Sequence, residues 1–575
     1  MKVLFLILSI ALFLRVWFLD IFPPSMIYDE LNYVMNAKSL YHTGKNIPLT
    51  ASALFSWGEK DFDVVISEIP SYVIMFWVGP NPLSQFNSRI IYAIFGVLSV
   101  LLVYLITKNL LNEKIANFAA LFMAVNPWSI HTSRNALETT FASFFFLLGT
   151  YLLLSKNSWR ILFSFPFFIL GFLSYLGAKL FFLPLIIILL VYKFKTDKSK
   201  QSKLPYLAMG LLTFLTFSLY TLTIHHQPAG ARTGELLIFD QSWASDIVNL
   251  ERRQAIPNFA LPIFINKLTI TLRRVIDVYL GAFDTTALFA RGETVSVYST
   301  WDYGQFHYLD FPLIIIGLIT LFTLKRGVFW LTMSIIALAP SVSAIDKVEK
   351  TYAIRAFSMF PYMVILSGVG MWSLTQIGKF KKLIFIFLIS LYIVGVLYFI
   401  HLYFFRYPIY SADRWFLGER IIANYVKQSQ DIASIQKIYV VTNESSKVVF
   451  EQYLFYSGMY ETKQDILKAN QKIKAKDFSL NKATFSSDCP KGVDFTKGEI
   501  LITDARNKCN REENGKKGIV SLADAGTIFV INNDLVCNDV DLARYIRVMN
   551  TNIFYMEKMN RKEFCKNWII SFPKI

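Results

Sequence analysis

Carboxylate side chains that follow apolar segments are the first candidates for chemistry in this sequence. Asp29 and Glu30 are adjacent and come soon after the first apolar segment, 3–19. A carboxylate at the border between lipid and water is partly desolvated, which raises its pKa and its strength as a base. The pair therefore predicts general-base chemistry at a membrane surface, whereas the alternative is a solvated pair of loop acids.

Three further stretches place charged residues beside apolar segments. Glu68 comes two residues before Pro70, where the alternative is an ordinary acid in the first turn of a helix. His131 and Arg134 are one helical turn apart, so they can share a face, and a guanidinium offers two parallel donors to a phosphate. Arg355 begins a later apolar segment. Both arginines have the alternative of pairing with lipid headgroups at the interface.

The composition of the chain indicates the kind of fold that must position these charged residues. The 575-residue chain is 54% hydrophobic and only 17% charged. Such a chain cannot bury its apolar surface in soluble domains, and it is excluded from disordered, coiled-coil and collagen classes. We therefore predict an all-α membrane bundle of about eleven transmembrane helices. The predicted spans are 3–19, 90–107, 115–130, 137–154, 161–177, 180–192, 205–224, 311–324, 327–342, 358–377 and 383–405.

We attribute the net charge of +17 to lysine and arginine residues that set the membrane topology, and not to binding of a nucleic acid. With the N-terminus in the cytoplasm, alternate loops are short and rich in lysine and arginine, as the positive-inside rule requires. These loops are 108–114, 156–160, 192–203, 325–326 and 378–382. An odd number of crossings then places the C-terminus outside, which predicts a multi-pass protein of the plasma (inner) membrane.

Two outer loops and a soluble tail complete the predicted organisation. The loops 20–89 and 225–310 belong to a membrane domain of residues 1–405 and are too apolar for free linkers. Their segments 71–79 and 261–283 predict amphipathic helices that lie on the bilayer. The tail, 406–575, predicts a small extracytoplasmic α/β domain. Its predicted strands are 435–442, 498–504 and 526–533, and its predicted helices are 448–459 and 460–475.

All four cysteines lie in this tail, at Cys489, Cys509, Cys537 and Cys565. An even number of cysteines in one segment predicts disulfides in an oxidising compartment, with three pairings possible. The alternative is four free thiols in a cytosolic tail.

The stretch DELNYVMNAKSLYHTGK, which begins at Asp29, resembles a known first-loop signature. It is similar to that of GT-C membrane glycosyltransferases that use lipid-phosphate sugars, the protein O-mannosyltransferase and aminoarabinose-transferase relatives (glycosyltransferase family 39-like). The resemblance continues through 88–111 and 119–154. The matching positions are Asp29, Glu30, Tyr33, Ala37, Leu40, Thr43, Gly44, Pro70, Arg89, Pro127, Arg134, Arg355 and Pro361. The chain departs from the family at Asn32 and Ile69, where the family often has cations.

The resemblance implies the GT-C fold and an activity. A sugar would pass from a polyprenyl-phosphate donor to a hydroxyl of a protein, lipid or glycan acceptor at the outer face, with inversion. Asp29 would be the base, with Glu30 or Glu68 orienting the acceptor. The substrate-binding residues would be Tyr33, Arg89, His131, Arg134 and Arg355, the last two facing the phosphate. No nucleotide motif or metal-ligand cluster is visible in the sequence, so no cofactor is indicated, although some relatives use a divalent metal.

Two other functions remain open from the sequence. A lipid-sugar flippase or transporter predicts ionisable residues at mid-membrane depth, and the long spans are nearly free of them. A non-catalytic envelope relative is favoured by the absence of cations at Asn32 and Ile69.

Overall fold

Apolar helices make up most of the described structure, and a small sheet lies near the end of the chain. The computed structural model describes residues 2–47, 68–155, 158–196, 203–225, 242–293, 297–345, 351–376, 381–507, 509, 517–546 and 548–571. The chain is mostly helical, as the sequence predicts.

Each of the eleven segments predicted as a span contains a helix. The helices of the first part are α1 Lys2–Val16, α2 Tyr28–Thr43, α3 Glu68–Val78, α4 Gln85–Leu110, α5 Glu113–Val125, α6 Pro127–Ser133, α7 Glu138–Leu153, α8 Ser158–Ser174, α9 Ala178–Thr196 and α10 Leu204–His225. The next are α11 Ser242–Arg253, α12 Leu261–Phe264, α13 Lys267–Gly281, α14 Asp310–Leu324, α15 Arg326–Leu338, α16 Ser341–Ala344, α17 Tyr352–Arg355, α18 Met359–Leu374 and α19 Lys381–His401.

By length and composition, fewer helices can be membrane spans than the eleven that the sequence predicts. Among the described residues, four apolar segments are long enough to cross a membrane: Gln85–Leu110, Leu204–Leu222, Arg326–Ala344 and Lys382–Tyr410. A fifth qualifies if α6 and α7, which are bent by 115° at a short break, form one span. The other predicted spans lie in helices that are shorter or, in the case of α9, carry three lysines. The count of eleven therefore remains a prediction.

Two buried arginines tie the first helix to the α5–α7 region. Arg134, between α6 and α7, donates to the carbonyls of Leu14, Arg15 and Trp17 at 3.1, 3.2 and 2.8 Å, at the end of α1. Arg15 in turn donates 2.9 Å to the carbonyl of Ala124, at the end of α5. The last carbonyls of a helix lack intrahelical partners, so each guanidinium completes the end of another helix.

The last part of the chain forms the α/β domain that the sequence predicts. Its helices are α20 Tyr407–Tyr410, α21 Leu417–Ser429, α22 Ser446–Ser457, α23 Lys463–Lys474 and α24 Arg561–Trp568. Its strands are β1 Lys437–Val441, β2 Ser479–Leu480, β3 Ala483–Ser486, β4 Glu499–Asp504, β5 Lys517–Val520, β6 Thr527–Asn532 and β7 Ile570–Ser571. The three predicted strands correspond to β1, β4 and β6, and the two predicted helices to α22 and α23.

These strands form one mixed sheet in the order β2-β3-β1-β4-β6-β5-β7. The central strand β1 runs parallel to β3 and β4, and the remaining pairs are antiparallel. The cysteines pair as Cys489–Cys509 and Cys537–Cys565. This is one of the three pairings that the sequence left open.

The α/β domain is bonded directly to the segment around α2. Tyr456 of α22 donates or accepts at Ser25 over 3.0 Å and accepts from the backbone N–H of Met26 at 3.0 Å. Lys38 of α2 forms a 2.7 Å ion pair with Glu461. The position of α2 therefore depends on both parts of the chain.

We predict that the Cys537–Cys565 bridge stabilises the α/β domain by about 3–4 kcal/mol, because it restricts the unfolded chain between cysteines 28 positions apart. Replacing both cysteines by serine should lower the thermal unfolding temperature of the purified protein. The matched control is the Cys489→Ser/Cys509→Ser variant, whose loop is shorter. An unchanged unfolding temperature in the Cys537→Ser/Cys565→Ser variant would contradict the prediction.

Candidate active site around Asp29

The first turn of α2 is fixed by its own sequence. Glu30 is the third residue of the helix, and its carboxylate accepts from the backbone N–H of Ile27 at 3.1 Å. A glutamate at this position satisfies one of the unpaired amides of a helix start. The helix ends at Gly44, whose left-handed φ of 71° a residue with a Cβ rarely adopts. The Thr-Gly pair of the family signature thus marks the end of α2.

Glu30 is enclosed by a buried network. Both of its carboxylate oxygens receive a bond from Arg89, each 2.9 Å long, and both side chains are fully buried. The backbone N–H of Ala136 adds a third contact at 2.8 Å. Arg89 also donates to the carbonyls of Pro23 and Ser25 at 2.8 and 2.6 Å. This geometry gives both residues a positioning role and leaves Glu30 no oxygen for an acceptor.

Asp29 lies next to this network, but its carboxylate, unlike that of Glu30, is bonded at only one oxygen. Its Oδ2 accepts a 3.0 Å hydrogen bond from the phenol of Tyr298, which lies in the loop between α13 and α14. Its other oxygen has no hydrogen-bond partner among the residues that the structure describes. One oxygen is therefore held while the other is available to a ligand.

A second acid, Glu138, lies close enough for its charge to interact with that of Asp29. Glu138 is the first residue of α7 and follows the bend between α6 and α7. Tyr33, which lies one helical turn after Asp29 in α2, donates a hydrogen bond to the Glu138 carboxylate. Each acid is thus held by one tyrosine, and the sequence analysis did not identify Glu138 or Tyr298 as site residues.

Burial dominates the electrostatics of Asp29. Desolvation raises the pKa of Asp29, the bond from Tyr298 lowers it, and the charge of Glu30 raises it again. The pKa of the Tyr298 phenol is raised by burial and by the charge of Asp29, so this phenol remains a proton donor. A carboxylate with a raised pKa is a stronger base when it is ionised.

His131 and Arg134 are buried inside the fold. The Nε2 of His131 lies 2.7 Å from the carbonyl oxygen of Val297, and its Nδ1 lies 3.2 Å from the Tyr403 hydroxyl. Besides capping α1, Arg134 donates 2.9 Å to the carbonyl of Phe22 and is fully buried. The expectation that Arg134 offers parallel donors to a phosphate does not fit this geometry, because backbone carbonyls occupy those donors.

The remaining predicted residues lie elsewhere or outside the description. Arg355 is half-buried at the end of α17 and interacts with the charge of Glu293. Burial raises the pKa of Glu293 to about 7, and hydrogen bonds from the backbone of Ala353 and Tyr352 lower it. Glu68 begins α3, but its side chain lies outside the described part. Within the described ranges, no three His, Cys, Asp or Glu side chains are grouped to hold a metal ion.

Comparison with known proteins supports the family suggested by the first loop. The sequence model of the dolichyl-phosphate-mannose-protein mannosyltransferase family matches residues 80–221. This match confirms the resemblance. The matched range includes Arg89, His131, Arg134 and Glu138. No curated protein matches the chain in sequence.

Solved structures with similar chain paths have low sequence identity. One is the oligosaccharyltransferase AglB of Archaeoglobus fulgidus, in complex with an inhibitory peptide and a dolichol-phosphate. It is 10% identical, with 93% of this chain and 74% of that chain covered and a TM-score of 0.48. Another is ArnT of Cupriavidus metallidurans bound to undecaprenyl phosphate. It is 12% identical, with 92% and 98% covered and a TM-score of 0.48.

We predict that Glu30→Gln destabilises the protein by about 3–5 kcal/mol, because it leaves the buried Arg89 without its counter-charge. Thermal unfolding of the purified variant, measured beside Glu138→Gln, tests this expectation. Glu138 has no cationic partner among the described ion pairs, so its variant should unfold close to the wild-type temperature. Equal unfolding temperatures for Glu30→Gln and the wild type would contradict the role of Glu30.

Proposed function

We propose that the protein is a membrane glycosyltransferase that uses a polyprenyl-phosphate sugar as donor. It transfers the sugar to an acceptor hydroxyl at the outer face of the membrane, with inversion. The observation that carries the proposal is the half-buried Asp29 carboxylate, which is held at one oxygen and available at the other. The family match over residues 80–221 and the apolar helices that adjoin the site support the same reaction class.

Asp29 is the general base in this proposal. An acceptor hydroxyl would donate its hydrogen bond to the available oxygen of Asp29 and lose its proton there as it attacks the anomeric carbon. The anomeric carbon–oxygen bond breaks, and the carrier phosphate departs with the electron pair. Inversion follows because attack and departure occur on opposite faces in one displacement. A positioned base contributes roughly 10²–10⁴-fold to such a step.

Glu138 takes the place that the sequence analysis assigned to Glu30 or Glu68. It lies beside Asp29, is held by Tyr33, and has one buried oxygen without a hydrogen-bond partner. A second carboxylate in this position can accept from a hydroxyl of the acceptor or the sugar. In this proposal Glu138 orients the substrate, and Glu30 positions the first turn of α2.

The departing carrier phosphate is negatively charged, so the reaction needs a cationic side chain beside it. Arg89 and Arg134 are fully buried and bonded to protein groups, so the proposal does not assign the phosphate to them. Arg355 is half-buried and remains the candidate from the sequence analysis. Donors directed at a leaving group are effective because its charge grows in the transition state.

We predict that Asp29→Asn lowers the transfer rate by at least roughly 10²-fold, because asparagine cannot take the acceptor proton. The assay incubates purified protein with a panel of polyprenyl-phosphate sugars and cell-envelope fractions and identifies the product by mass spectrometry. Thermal unfolding of the variant should remain close to that of the wild type.

Asp534→Asn is the matched control for this substitution. Asp534, like Asp29, accepts a bond from a tyrosine, Tyr425, but its side chain is buried, paired with Lys517 and part of the α/β domain. The control should retain transfer in the fraction of protein that is folded. Full activity of Asp29→Asn would contradict the assignment of Asp29 as the base. Absence of transfer by the wild type with every donor would contradict the proposed function.

We predict an acid limb in the pH-rate profile above the ordinary titration range of aspartate. The base acts only when it is ionised, and burial raises the pKa of Asp29. Transfer should therefore fall as the pH decreases through this raised pKa and reach a plateau above it. The measurement is kcat/KM for the donor as a function of pH, at a saturating concentration of acceptor. An acid limb at the pH of a solvent-exposed aspartate would show that Asp29 is not desolvated during the reaction.

A further inference from the structure

The loop that carries Tyr298 is held by the ring of His131. A carbonyl oxygen cannot donate a hydrogen bond, so the 2.7 Å contact with Val297 requires the proton of His131 to be on Nε2. In the neutral ring Nδ1 is then the acceptor, and it receives the hydroxyl hydrogen of Tyr403 over 3.2 Å. The guanidinium of Arg134 lies over the ring of Tyr403, with its Cζ 5.7 Å from the ring centroid. The tautomer of His131 is thus fixed from both sides.

Aromatic side chains fix the orientation of this ring as well. Tyr403, Tyr407 and Trp415 present their rings edge-on to His131, with centroids 5.7, 5.6 and 6.3 Å away. Only 2% of the His131 surface is exposed. A buried ring packed on three sides has one orientation, so its Nε2–H points at one position of the outer loop.

The residue after Val297 is Tyr298, whose phenol donates to the Oδ2 of Asp29 at 3.0 Å. Hydrogen bonds therefore connect Tyr403 and His131 to Val297, and the next residue, Tyr298, connects the loop to the Asp29 carboxylate. The other charged groups facing Asp29 are themselves held in place. Glu30 is paired with Arg89, and Glu138 receives the hydrogen bond of Tyr33.

We propose that Tyr298 is a positioning residue of the transfer reaction and that His131 acts through it. Tyr298 holds Oδ2 so that the other oxygen of Asp29 faces the acceptor hydroxyl. His131 holds Val297, and with it the backbone that presents the Tyr298 phenol. The inference rests on the proposed function with Asp29 as base. It reassigns His131 from substrate binding to the support of the base.

The first test is Tyr298→Phe, which removes the phenolic hydroxyl and retains the ring. The bond from Tyr298 lowers the pKa of Asp29, so its loss should move the acid limb of kcat/KM to higher pH. At the pH plateau kcat should fall about tenfold, as the loss of a hydrogen bond to a charged group predicts. The KM for the donor should stay within about twofold, because the phenol contacts the base and not the donor. A loop contact with only a structural role would not move the acid limb.

The second test compares two substitutions of His131. His131→Gln retains an N–H donor for the carbonyl of Val297, whereas His131→Phe retains only a ring of similar shape. If His131 acts through Tyr298, the phenylalanine variant should reproduce the profile of Tyr298→Phe. The glutamine variant should lie closer to the wild type. This pair also decides the question if Tyr298→Phe does not fold.

Tyr425→Phe is the matched control, because Tyr425 also donates its phenol to a buried aspartate, Asp534, outside the site. It should leave the acid limb unchanged. An unchanged acid limb and rate in Tyr298→Phe, in an enzyme whose Asp29→Asn variant is inactive, would overturn this inference alone. Failure of the wild type to transfer sugar would instead overturn the proposed function.

Discussion

The ion pair between Glu30 and Arg89 is the interaction on which the candidate site depends. Both side chains are fully buried, and such a pair is tolerated only if the remaining donors and acceptors are also satisfied. Here Glu30 binds the amides of Ile27 and Ala136, and Arg89 binds two carbonyls before α2. One pair therefore fixes the start of α2, the side of α4 and the bend before α7. Asp29 and Glu138 lie on the segments that it joins.

The adjacent acids Asp29 and Glu30 show how position separates two chemically similar groups. They are consecutive in the chain, but successive helical residues point about 100° apart. Glu30 therefore turns into the protein, where a guanidinium neutralises it. Asp29 turns toward the loop between α13 and α14, where the neutral phenol of Tyr298 holds one oxygen. A carboxylate without a cationic partner in a buried site is a candidate for proton transfer.

The sequence predicts the helical bundle, the α/β domain and the acids of the first loop, because hydropathy and strand patterns are local signals. It does not predict which arginines face a substrate. Arg134 and Arg89 match family positions, but their guanidinium groups are used by backbone carbonyls and Glu30, contacts between residues far apart in the chain. Glu138 follows soon after His131 and Arg134 in the sequence. An acid in the first turn of a helix is common, so its position does not by itself indicate a site. Tyr298 is one of 29 tyrosines and has no local signal.

The capping of α1 by Arg134 has a consequence for biosynthesis. The guanidinium and the carbonyl of Leu14 are separated by 120 positions in the chain. While the intervening residues are still being synthesised, the C-terminal end of α1 lacks these donors, and its carbonyls must find other partners. The contacts that complete the end of α1 can form only after the residues of α6 and Arg134 have been made. The final placement of the first helix therefore depends on a part of the chain that is synthesised much later.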